Sequence, residues 1–169
     1  NIEKNLTLRA QQRYDGNIWS LEIPSLHKLQ WWFRDLYKDG VRQCRSRFPN
    51  TGMYLTVKDI KPSVDNPKKI FVDRDLPFSN LGRDESEIVM YNIWSTARSR
   101  IWYSEGAMIQ TNDPLGWIGH GICSVQIDKK VHIEHSLELI DTPGEWYLDR
   151  DDKTLYYMAN DGQNPNDSE

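Results

Sequence analysis

The stretch Glu145-Trp146-Tyr147-Leu148-Asp149-Arg150-Asp151-Asp152-Lys153-Thr154-Leu155-Tyr156-Tyr157-Met158 fixes the class of the fold. Two five-residue segments, rich in aromatic and aliphatic side chains, flank the polar run Arg150–Lys153, which is the pattern of a β-hairpin. Upstream, Pro143-Gly144 stops whatever precedes it. A second hairpin follows from Glu87–Trp94 and Arg98–Ser104, β-rich segments separated by Ser95–Ala97, with Ala107–Thr111 extending the same sheet.

Further toward the N-terminus, Trp19, Leu21 and Ile23 alternate with Ser20 and Glu22, the period of a half-buried strand that Pro24 ends. Trp31–Tyr37 and Val41–Phe48 read as a hairpin about Asp39-Gly40, a pair that tolerates the positive φ of a tight reversal. Pro49–Gly52 is a turn, and short strands follow at Met53–Val57 and Lys69–Asp73. Residues 58–68, 74–85 and 112–121 read as loops. One short helix is expected near residues 131–140, because Ile133, Leu137 and Ile140 are spaced four and three apart. The fold class is therefore mainly β, an antiparallel sandwich or barrel with one short helix. Residues 1–162 form a single β domain, and 163–169 are a polar tail or linker.

The 169 residues hold 7 Trp, 8 Tyr and 4 Phe, so much of the core is aromatic and surplus rings remain for recognition. Lys and Arg total 21 against 25 Asp and Glu, a net charge of -4 that argues against nucleic acid or an anionic membrane as partner. Cys44 and Cys123 form no metal-ligand pattern, and whether they pair is left open. No apolar run approaches the roughly 20 residues of a membrane span. The first residues lack the regions of a signal peptide, and a chain opening on Asn1 and closing on a polar run has the look of an excised domain.

Two blocks resemble a known context. Glu138-Leu139-Ile140-Asp141-Thr142-Pro143-Gly144-Glu145-Trp146-Tyr147-Leu148-Asp149-Arg150 with Leu155-Tyr156-Tyr157 is one. Phe33-Arg34-Asp35-Leu36-Tyr37-Lys38-Asp39-Gly40-Val41-Arg42 with Arg45-Ser46-Arg47-Phe48-Pro49-Asn50 is the other. Together they resemble the β domain inserted in bacterial right-handed parallel β-helix glycoside hydrolases, pectate-lyase-like enzymes. The resemblance implies a parent β-helix domain as partner, a polysaccharide or oligosaccharide nearby, and a secreted, periplasmic or cell-surface location. It also implies that the catalytic carboxylates lie on coils of that β-helix, so no catalytic residue and no cofactor are expected in this chain; the alternatives are a purely structural brace with no ligand and a self-contained glycosidase or polysaccharide lyase.

The residues themselves agree that chemistry is scarce. Glu134, Glu138 and Glu145 are the acids nearest the C-terminal motif, but their expected roles are structural, with Glu145 bonding backbone groups at the Pro-Gly turn. His132 and His135 lack a third metal ligand, and Asp149, Asp151 and Asp152 lack the Gly and bidentate Glu of a calcium loop. No GxSxG, P-loop, GxGxxG or HExxH pattern is present. Sugar rings stack on aromatic faces while charged and amide groups orient their hydroxyls. The glycan-binding candidates are accordingly Trp32, beside Trp31 on the opposite strand face, and Trp117 with His120 in a Gly-rich loop. Arg45 and Arg47 join them, their guanidinium forks suited to uronate or sulfate. Trp94, Trp102 and Trp146 are expected in the core or in packing between domains.

Overall fold

The computed structural model describes residues 11–13, 17–23, 33–61, 69–78, 81, 85–116 and 126–167. Its strands are β1 (Gln11–Arg13), β2 (Ile18–Glu22), β3 (Tyr37–Lys38), β4 (Val41–Arg42), β5 (Cys44–Arg45), β6 (Arg47–Phe48), β7 (Leu55–Lys61), β8 (Lys69–Val72), β9 (Glu87–Tyr91), β10 (Thr96–Glu105), β11 (Met108–Thr111), β12 (Lys130–Glu134), β13 (Glu145–Asp149) and β14 (Thr154–Met158). The chain divides into two compact units. One joins residues 1–46 to 140–169, and the other is residues 47–139.

The 47–139 unit is a six-stranded antiparallel barrel in the order β12, β7, β8, β11, β10, β9, closed by pairing of β9 with β12. Closure leaves these strands no open edge. Alternation fills the interior: Leu55 and Val57, Ile70 and Val72, Ile88 and Met90, Ile101, Ile109, Val131 and Ile133 form one buried cluster. Each such side chain contributes about 1.5–3 kcal/mol when fully buried. β6 pairs with the end of β12, Ile133 opposite Phe48.

The other unit holds a five-stranded sheet, β1-β2-β14-β13-β5, antiparallel except for the β13–β5 pair. The C-terminal hairpin forms as its sequence requires, Trp146 opposite Tyr157 through Asp149 opposite Thr154. Asp149 Oδ1 accepts the amides of Asp151 and Asp152, both at 2.9 Å, so one member of the acidic run shapes the loop. Trp146 is fully buried with Ile23, Leu148, Leu155 and Tyr157, and Phe33 stacks on it at 5.5 Å between centroids. Glu145 Oε2 accepts the amides of Asp141 (3.1 Å) and Thr142 (3.3 Å), the structural role its position beside Pro143-Gly144 suggests.

Two expectations need correction. The helix near residues 131–140 is instead β12 followed by one 3-10 turn, Leu137–Leu139. Val131 and Ile133 point into the barrel while His132 and Glu134, on the other side, are also buried. Buried polar side chains hide the strand period, leaving the apolar spacing to mimic a helix. His135, at φ 70°, marks the end of the strand.

Val41–Phe48 is not one strand either. Asp39 (φ 51°) and Gly40 (φ 74°) make the expected tight turn, but pairing stops at Tyr37–Arg42. Beyond Gln43, Cys44 and Arg45 run parallel to Glu145 and Trp146, and the Ser46 amide bonds the Trp146 carbonyl at 2.8 Å. Gln43 sits at this exchange of partners. Its amide donates to the Leu36 carbonyl at 2.7 Å and its Oε1 accepts the Tyr157 hydroxyl at 3.2 Å.

Candidate functional site

On the outer side of the barrel, Glu87 of β9 stands directly opposite Glu134 of β12. Facing carboxylates repel, and both are largely buried, so the pair needs a cation. Arg98 of β10 supplies it: Nη1 lies 3.2 Å from Glu87 Oε2 and also contacts Glu134 Oε1. Burial pulls the Arg98 pKa down, but the two carboxylates outweigh it and hold the guanidinium above its ordinary value.

His132 extends the cluster, its Nε2 3.1 Å from Glu134 Oε2 and its ring stacked on Tyr91 at 5.6 Å. Burial, helped by the charges of Arg47 and Arg98, lowers its pKa despite the Glu134 bond. The ring is therefore neutral near pH 7 and donates Nε2–H to Glu134. Tyr54 meets Tyr91 edge-on at 5.3 Å, with Lys130 Nζ 5.2 Å from the Tyr54 centroid. Burial and Tyr54 raise the Tyr91 phenol.

A glycosidase acid must hold a transferable proton and its partner must face the scissile bond. Glu87 and Glu134 instead share one guanidinium, and Glu134 also accepts from His132. That arrangement braces the β9–β12 seam. Among the described residues, no three His, Cys, Asp or Glu side chains group as a metal site.

Of the residues singled out in the sequence, Trp32, Trp117 and His120 lie outside the described residues, as does Cys123. Arg45 and Arg47 are described but fall in different units, Arg45 on β5 and Arg47 on β6. Arg47 clamps the turn that follows it, donating Nε–H to the Pro49 carbonyl at 2.9 Å and Nη2–H to that of Met53 at 3.1 Å. Its guanidinium also lies over the Tyr54 ring, 5.6 Å from the centroid.

The exposed rings are elsewhere. Trp146 is core, whereas Trp94 at the β9–β10 turn is 68% exposed and Trp102 of β10 is 66% exposed. The β10–β11 register slips between Ile101 and Tyr103, a β-bulge that adds Trp102 against the partner strand. In a regular strand Trp102 and Tyr103 point to opposite faces. The bulge leaves both on the solvent side, Tyr103 36% exposed, between buried Ile101 and Ser104. Periodicity alone does not reveal such an extra residue, which is why the pair escapes a reading of the sequence.

Around these rings the outward positions are mostly polar, with half-buried Met108 and Phe71 among them. Tyr103 is paired with Gln110, Gln110 with Lys69, and Lys69 with Lys61 across four strands. The Tyr103 hydroxyl bonds Glu105, which keeps the phenol above its ordinary pKa, and Arg100 pairs with Glu85 at 3.3 Å. Lys61 Nζ lies 4.9 Å from the Phe71 ring centroid.

Comparison with known proteins places this architecture. No functionally curated protein matches the chain. A solved structure titled "Glycoside hydrolase" superposes with a TM-score of 0.64 at 19% sequence identity, covering 92% of this chain and 28% of that one. The chain thus spans little more than a quarter of that protein, and at this identity the likeness is one of fold. The sequence model of the GH141 insertion domain matches residues 16–160. The chain belongs to the GH141 insertion domain family, an accessory domain of a glycoside hydrolase.

Proposed function

We propose that the domain is a non-catalytic insert of a secreted, polysaccharide-degrading enzyme, packing on a parallel β-helix body that carries the catalytic carboxylates. The observation that carries this reading is the match of an insertion-domain family over residues 16–160. Two features support it. Glu87 and Glu134 are both engaged by the Arg98 guanidinium, and the two motif blocks at residues 33–50 and 138–157 resemble those of such inserts.

The test uses the full-length enzyme with residues 16–160 replaced by a short linker. Turnover of a small chromogenic glycoside by this variant stays within a few-fold of the parent, while thermal stability or polymer degradation falls. Abolished turnover in a variant whose circular dichroism still shows a folded body means that the insert carries part of the active site, and refutes the proposal.

A further inference from the structure

We infer that the outer wall of β10–β11–β8–β7 is a binding site for an acidic polysaccharide, with Trp102 and Tyr103 as its stacking platform. The inference deepens the accessory-domain reading and rests on it. Three observations converge.

The first is the bulge, which sets two adjacent aromatic side chains on one solvent-facing surface. Aromatic faces take the C–H faces of sugar rings, and a bulge is a recurrent means of re-aiming side chains at a site. The second is the chemistry of the neighbours. Gln110 lies beside Tyr103 and Glu105 bonds its hydroxyl, giving an amide and a carboxylate for sugar hydroxyls. The core of a protein-packing face would instead be depleted of charge.

The third is charge. The chain as a whole carries -4, yet the row leaving Tyr103 runs through Gln110 to Lys69 and Lys61, cations that Asp59, 3.9 Å from Lys61, and Glu105 offset only in part, while Arg100 upstream on β10 is taken up by Glu85. At strand spacings of 4.7–4.9 Å, Lys69 is roughly 10 Å and Lys61 roughly 14 Å from Tyr103. A chain laid across the strands from the aromatic pair thus meets Lys69 and then Lys61, whose pair with Asp59 is exposed and weak, so both ammonium groups can turn to a uronate carboxylate.

The full 169-residue chain is run by affinity electrophoresis in gels holding polygalacturonate, its methyl ester or neutral hydroxyethyl cellulose. Polygalacturonate retards the chain, and the esterified and neutral polymers do so several-fold less. Trp102→Ala loses the retardation and Lys61→Gln/Lys69→Gln weakens it several-fold, with unchanged circular dichroism in both. Failure of polygalacturonate to retard, equal retardation in the neutral gel, or retardation untouched by Trp102→Ala each overturns the inference. The linker replacement described above is read independently, so the accessory role can stand while this site falls.

Discussion

Replacing Arg98 with Ala removes the guanidinium that contacts both Glu87 and Glu134, and the cost can be bounded from their surroundings. Breaking a buried ion pair by deleting one partner costs about 3–5 kcal/mol, because the remaining charge is left uncompensated. An exposed pair is worth about 0–1 kcal/mol. The two glutamate side chains are each 10% exposed, but the Arg98 side chain is 39% exposed, so water partly screens the loss. The expected destabilisation is about 2–3 kcal/mol. For a chain of this size that lowers the melting temperature by about 4–12 °C.

Urea unfolding at pH 7, followed by far-ultraviolet circular dichroism, measures it. Adding Glu134→Gln to Arg98→Ala removes the facing negative charges and recovers a substantial part of the loss, a non-additivity expected of groups in one network. A loss below about 1 kcal/mol, or no recovery in the double variant, would show that the carboxylates are not held by Arg98. They would then be available for chemistry after all.

Other consequences follow from single residues. Trp146→Ala empties a fully buried site under Phe33 and costs about 3–5 kcal/mol in chemical denaturation, against less than about 1 kcal/mol for the exposed Trp102→Ala. His132 has a folded pKa below 6.5, so below pH 6.5 the unfolded chain binds the extra proton more readily. Its contribution is complete above pH 6.5 and is lost as pH falls from there to the folded value, so a His132→Gln variant shows a shallower loss of stability across that window. Gly40→Ala meets no atom within 4 Å but must hold φ 74°. Its cost is about 1–2 kcal/mol, all of it backbone, read from the same urea curves.

Both long hairpins were legible in the sequence because local chemistry decides them. A polar loop joins Asp149 to Thr154, and β-rich segments flank Ser95. What escaped depends on partners distant in the chain. Gln43 and Ser46 divert Val41–Phe48 among three pairings through bonds to Leu36, Tyr157 and Trp146. β12 looked helical because its polar residues His132 and Glu134 are buried, Glu134 against Arg98 of β10 and His132 against the ring of Tyr91 of β9. The same holds for the exposed aromatic pair. Trp102 and Tyr103 share a face only through a one-residue slip against β11, which no periodicity in β10 announces.

The claim that this insert recognises rather than cleaves is tested most directly by incubating the 169-residue chain with polygalacturonate and measuring reducing ends over time. The account predicts retention by the polymer and no release of reducing ends above the buffer blank. Steady release by the purified chain, reduced by Glu87→Gln or Glu134→Gln, would contradict it.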